Sequence, residues 1–130
     1  HETSLVNTVL KAALHHGAIT LGPCTQRWNY LEVHDLARAI RILLVSEDTC
    51  TDVYDIAGSD SRTLKKYVIA MNSIAGKGAD LQFGTRANNA EGAADMSPEI
   101  LKLQRIGFHQ EISFEAGIGM LLKEMCRSHT

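Results

Sequence analysis

The sequence predicts an α/β fold, with a small sheet of short strands and about five helices. Three observations carry that expectation. Short runs rich in branched and aromatic residues alternate with longer stretches of helical period, the pattern of the α/β class. Small polar residues stand ahead of those helical stretches and glycines follow them. The 130 residues are 45% hydrophobic and 22% charged, which suits a self-sufficient core and is too apolar for disorder. One domain, residues 1–130, accounts for this length, with no repeat, low-complexity tract or linker.

Taken in order, Ser4 can cap a first helix whose apolar positions are Leu5/Val6, Val9/Leu10 and Ala13/Leu14, closed by Gly17. Ala18 to Leu21 reads as a strand stopped by Gly22-Pro23, and Trp28 to Val33 as a second. Asp35 then caps an amphipathic helix with Leu36, Ala37, Ile40, Leu43 and Leu44 inward and Arg38 and Arg41 outside. Val53 to Ala57 is a third strand. Thr63 caps a helix with a stripe of Leu64, Tyr67/Val68, Met71 and Ile74/Ala75, ending at Gly76. Ala79 to Phe83 is the last strand. Gly84 to Asp95 lacks any period and reads as a long loop, a common place for function. Ser97-Pro98 signals a short helix ended by Gly107, and Ser113 opens a final one with Ile118, Leu121/Leu122 and Met125 inward.

The charge balance excludes some functions. A formal net charge of -2 offers no basic footprint for nucleic acid. No apolar stretch reaches the roughly 20 residues needed to cross a bilayer, so no membrane role is expected. The N-terminus lacks a basic leader, an apolar block and a small-residue cleavage site. Cys24, Cys50 and Cys126 are odd in number and never in a Cys-x-x-Cys pair, which fits reduced thiols and a cytoplasmic protein.

Candidate chemistry is sparse. Gly76-Lys77-Gly78 precedes a strand and Gly117-Ile118-Gly119 lies inside a helix, so neither makes a phosphate cradle. His15 and His16 point about 100° apart on a helix and suit a last helical turn better than a metal. His34-Asp35 has the look of a dyad, with Asp35 better placed as a helix cap. Arg86 stands in the long loop beside Asn88 and Asn89; its guanidinium is either a solvated surface group or a clamp for phosphate oxygens. Arg27 and Trp28 could frame a ligand by charge and by stacking, although strand neighbours face opposite sides. Trp28 equally suits the core.

Four stretches in order resemble one family. WNYLEVHDLARAI resembles the Arg-Asp-aromatic-x-x-Val-x-Asp-Leu-Ala segment of NAD-dependent nucleotide-sugar epimerases and dehydratases, the extended short-chain dehydrogenase/reductases. VYDIAGSDSRTLKKYV resembles their Val-Tyr-Asn-Ile-Gly strand and the helix start after it, and ADLQFGTRANN their strand ending in Gly-Pro-Arg. AADMSPEILKLQRIGFHQEISFEAGI resembles their Ala-Asp-x-Ser to Ser-x-Glu-x-Gly-Ile tail. The resemblance runs from about Leu5 to Lys123 and is to the C-terminal, substrate-binding part of such enzymes.

It implies a nucleotide-diphosphate sugar as ligand, Arg86 on its diphosphate, and Trp28, Arg27 and Asn88 as further binding residues. Trp28 stands where many members have an Arg, as it does in some bacterial members, and Asn29 replaces the usual Asp. The Gly-x-x-Gly-x-x-Gly loop and the Tyr-x-x-x-Lys pair of the Rossmann half have no counterpart: His34, Gly58 and Met71 follow the three tyrosines at that spacing. The resemblance therefore implies no cofactor and no catalytic residue in this chain, NAD or NADP in the full-length enzyme, and either a missing Rossmann domain or a homo-oligomer. The lack of an initiator Met points to a cut piece. The competing expectation is a freestanding, non-enzymatic binding or oligomerisation module derived from the family.

Overall fold

The computed structural model describes residues 4–47, 52–84 and 97–128. Helix α1 (Leu5–Leu14) starts where Ser4 Oγ accepts the amide of Asn7. Strands β1 (Ala18–Thr20) and β2 (Arg27–Asn29) follow, then α2 (Val33–Val45), β3 (Ser61–Thr63) and α3 (Leu64–Ile74). Strand β4 (Asp80–Gln82) and helices α4 (Leu101–Arg105) and α5 (Phe114–Arg127) complete the described elements. Thr63 caps α3 and Ser113 caps α5 through their side-chain oxygens. The α/β class, the five helices and the short strands are therefore as expected.

The strands form two pairs. β1 runs parallel to β4 with Ala18 opposite Asp80. β2 runs antiparallel to β3 with Arg27 opposite Thr63. The main core lies among α1, α3 and α5, where Val9, Leu10, Tyr67, Val68 and Met71 are fully buried. Burying each such side chain contributes roughly 1.5–3 kcal/mol. Tyr30, Tyr67 and Phe114 stack as a ring cluster with centroids 4.7 to 5.5 Å apart. The turn from α3 into β4 fits tightly under α1: a Cβ on Gly78 would stand 2.0 Å from Ala13 O, so only glycine suits that position. A second, smaller core gathers Ala39, Leu103 and Phe108, with Leu31, Ile42, Leu43, Tyr54 and Ile56 against them.

Several expectations are corrected. Val53–Ala57 is not in a ladder; the third strand is Ser61–Thr63. Tyr54 and Ile56 do pack inward on the second core, but among the described residues no strand lies beside them. The second strand stops at Asn29 rather than Val33, because α2 begins at Val33. Its cap is Glu32, not Asp35. The apolar arc of α2 is also wider than the surface that meets it: Ala39 is buried, whereas Leu36, Ile40 and Leu44 are exposed, Leu44 by 80%. Arg38 turns in rather than out, donating to Asp35 and to the carbonyl of His109. Helix α4 starts after Ser97-Pro98, where the carboxylate of Glu99 accepts the amides of Leu101 and Lys102.

Candidate functional site

The four residues expected to hold a ligand divide in two. Arg86 and Asn88 lie outside the described residues, as do Asn89 and Cys50. Arg27 and Trp28 are neighbours on β2 and face different surroundings, as strand geometry requires. The Arg27 guanidinium is exposed and donates to Ser61 O at 2.9 Å across the pair. Trp28 is half-buried against the main core. Next to them Asn29 locks the strand to the segment leading into β3: its amide donates to Gly58 O at 2.9 Å and its carbonyl accepts the Gly58 amide at 2.9 Å. Asn29 therefore serves the fold in this chain.

The described residues form a cavity elsewhere, where the β2–α2 connection meets α5 and the segment before it. It has a volume of 280 Å³. Its walls are mostly apolar, with Tyr30, Ile112, Phe114, Ile118 and Leu121 among them, and Glu32, His34 and Glu124 supply charge. Burial, above the nearby Tyr67 and Cys24, pushes the Tyr30 hydroxyl up to about 12, so it stays neutral at working pH. Gly117 lets Glu32 lie against α5, since a Cβ there would come within 3.2 Å of Glu32 Cγ.

One carboxylate organises the charged part of the lining. Glu32 Oε2 accepts the backbone amide of His34 at 2.7 Å, which caps α2. Glu32 Oε1 meets His34 Nδ1, also at 2.7 Å. The hydrogen bond to Glu32 and then its charge raise the His34 imidazole above its ordinary value. The dyad suggested by adjacency is thus replaced. Asp35 faces inward to Arg38 and to the amides of Glu111 and Ile112, and His34 pairs across the turn with Glu32. Glu32 was not legible as a site residue because its flanking Tyr30, Leu31 and Val33 read as strand; the Glu-x-His spacing at a helix start was the available signal.

The β3–α3 junction has no glycine, and its first-turn amide at Lys66 is already taken by Thr63 Oγ1, so no backbone cradle faces a pyrophosphate there. Among the described residues no cluster of His, Cys or carboxylates could hold a metal ion. No described helix is long and apolar enough to cross a membrane.

No protein-family profile matches the sequence. No curated protein matches it either. Solved structures do. The UDP-glucose 4-epimerase of Thermotoga maritima, solved with UDP-glucose, is similar over 100% of this chain and 41% of its own, with 15% identity and a TM-score of 0.86. An epimerase from Methanothermobacter thermautotrophicus matches 99% of this chain and 39% of its own, at 12% identity and a TM-score of 0.84. The dTDP-glucose 4,6-dehydratase of Bacillus anthracis, solved with NAD, matches 97% of this chain and 40% of its own, at 16% identity and a TM-score of 0.75. The chain thus has the fold of one part of nucleotide-sugar epimerases and dehydratases. It spans about two-fifths of their length.

Proposed function

We propose that this chain is the substrate-binding portion of an NAD(P)-dependent nucleotide-sugar epimerase, dehydratase or reductase, and is not catalytic by itself. The observation that carries this reading is the likeness over the whole chain to two-fifths of such an enzyme. A portion of that kind needs a neighbour, and two features support one. Val53–Ala57 has no strand beside it among the described residues, and α2 turns Val33, Leu36, Ile40 and Leu44 outward. Contiguous exposed apolar surface of this sort marks an interface.

In this reading a nucleotide-diphosphate sugar is the ligand, held by Arg86 with help from Arg27, Trp28 and Asn88. A guanidinium suits two phosphate oxygens, and an indole suits a flat base or sugar face. NAD or NADP belongs to the Rossmann half, supplied by polypeptide outside these residues, and the protein works in the cytoplasm. The exposed α2 flank also suits a second reading, a freestanding module that covers this face with a second copy of itself.

Titration calorimetry with UDP-glucose and dTDP-glucose tests the first reading. Weak binding is expected, and Arg86→Ala is expected to lower the affinity about tenfold or more, the effect of losing a charge-assisted hydrogen bond. Equal titration enthalpies for both proteins would defeat it.

A further inference from the structure

We infer that the cavity beside His34 is a binding site for a small neutral aromatic compound bearing a hydroxyl group, with Nε2 of the neutral His34 ring accepting a hydrogen bond from that hydroxyl. This site does not depend on the nucleotide-sugar reading, since neither Arg27 nor Trp28 lines it.

The argument starts at the ring nitrogens. A carboxylate can only accept, so His34 Nδ1 carries the proton that points to Glu32. In the neutral imidazole that leaves Nε2 as an acceptor. The side chain of His34 is 71% exposed while that of Glu32 is 14% exposed, so the carboxylate is sheltered and the ring is the accessible part of the pair in the cavity lining. An imidazole oriented by a carboxylate is a defined acceptor rather than a loose surface group.

The walls then select the body of the ligand. The rings of Tyr30 and Phe114 line it 5.5 Å apart, and Ile112, Ile118 and Leu121 are aliphatic. An aromatic ring gains edge and face contacts there in addition to its buried area. The volume of 280 Å³ lies close to the lower bound of small-molecule sites, about 300 Å³, and suits one or two fused rings. Charge selects the head. Glu32 and Glu124 both stand at the cavity and repel a carboxylate or phosphate. Glu32 has its oxygens engaged by the amide and ring of His34, which leaves little for an ammonium group. A neutral hydroxyl that donates to Nε2 meets neither objection.

The probes are 2-naphthol and 2-methoxynaphthalene, which share a body and differ in the donor. They are titrated at pH 8 into the isotopically labelled chain while the amide spectrum is followed. The expected result is that 2-naphthol shifts Val33, Ile112 and Ile118 and binds about tenfold more tightly than the ether. His34→Leu, at an exposed position that leaves the core intact, removes that preference while the ether still binds. Lowering the pH weakens 2-naphthol alone, as His34 takes up a proton, which the bond to Glu32 and the charges of Glu32, Asp35 and Glu124 favour. Equal binding of the two probes, or a preference that survives His34→Leu, overturns the role of His34. Absence of shifts at the lining residues up to millimolar probe overturns the site.

Discussion

Asp35 is a buried carboxylate, 1% exposed, placed where α2 meets the segment leading into α5. Its oxygens are filled by the Arg38 guanidinium at 2.8 Å and by the amides of Ile112 at 2.9 Å and Glu111 at 3.2 Å. Burial pushes its carboxyl up, but the Arg38 hydrogen bond and the two amides outweigh that and hold it below the usual carboxylate range. Asp35→Ala would leave the amides of Glu111 and Ile112 without this acceptor and take one partner from Arg38, which keeps the His109 carbonyl. Urea unfolding is expected to show a loss of about 3–5 kcal/mol at neutral pH. The sign of the pH effect follows from the lowered value. The stabilisation is complete above the unfolded-state value near 4 and is lost as pH falls through the folded-state value. The gap between wild type and variant should narrow only in acid, and a gap that closes between pH 7 and 5 would show that another group supplies it.

At the scale of elements, what could be read from residues was local. Ser4, Thr63 and Ser113 announce helices because a hydroxyl reaches an amide one turn on, and each does so here. Pairing between distant segments has no such local sign. Val53–Ala57 has the composition of a strand, yet it packs one face on the second core and no described strand joins it. The apolar period of α2 was visible, but how much of its arc meets other residues depends on Leu103 and Phe108, far along the chain. The site shows the same division. His34 stood out, but its partner Glu32 depended on where α2 begins. A consequence can be measured. Leu44→Lys and Ile40→Gln, on the uncovered flank, should each change stability by no more than about 0.5 kcal/mol. Leu10→Ala, in the fully buried core, should cost about 2–5 kcal/mol. Comparable losses for all three in thermal unfolding would mean that the α2 flank is packed.

At the scale of the molecule, the two cores differ in how well they are enclosed. The main core is surrounded by α1, α3 and α5. The second core has α2 and α4 around it and is bordered by Val53–Ala57, whose backbone makes no hydrogen bond to other described backbone groups. Side chains give that segment limited support: Lys102 Nζ donates to Val53 O at 3.3 Å, and Asp55 accepts the Glu99 amide at 2.9 Å. Main-chain groups without a backbone partner either face water or receive another strand. Hydrogen exchange separates these cases. In the dilute chain, the amides of Val53, Tyr54, Asp55 and Ile56 should exchange almost as fast as in an unfolded peptide, while those of Leu10, Val68 and Met71 wait for global opening. If the neighbour is a Rossmann half, raising the protein concentration leaves the fast amides fast. If it is a second copy, they slow as the concentration rises, because association is governed by mass action. Full protection of Val53–Ile56 in the dilute monomer would refute the open edge itself.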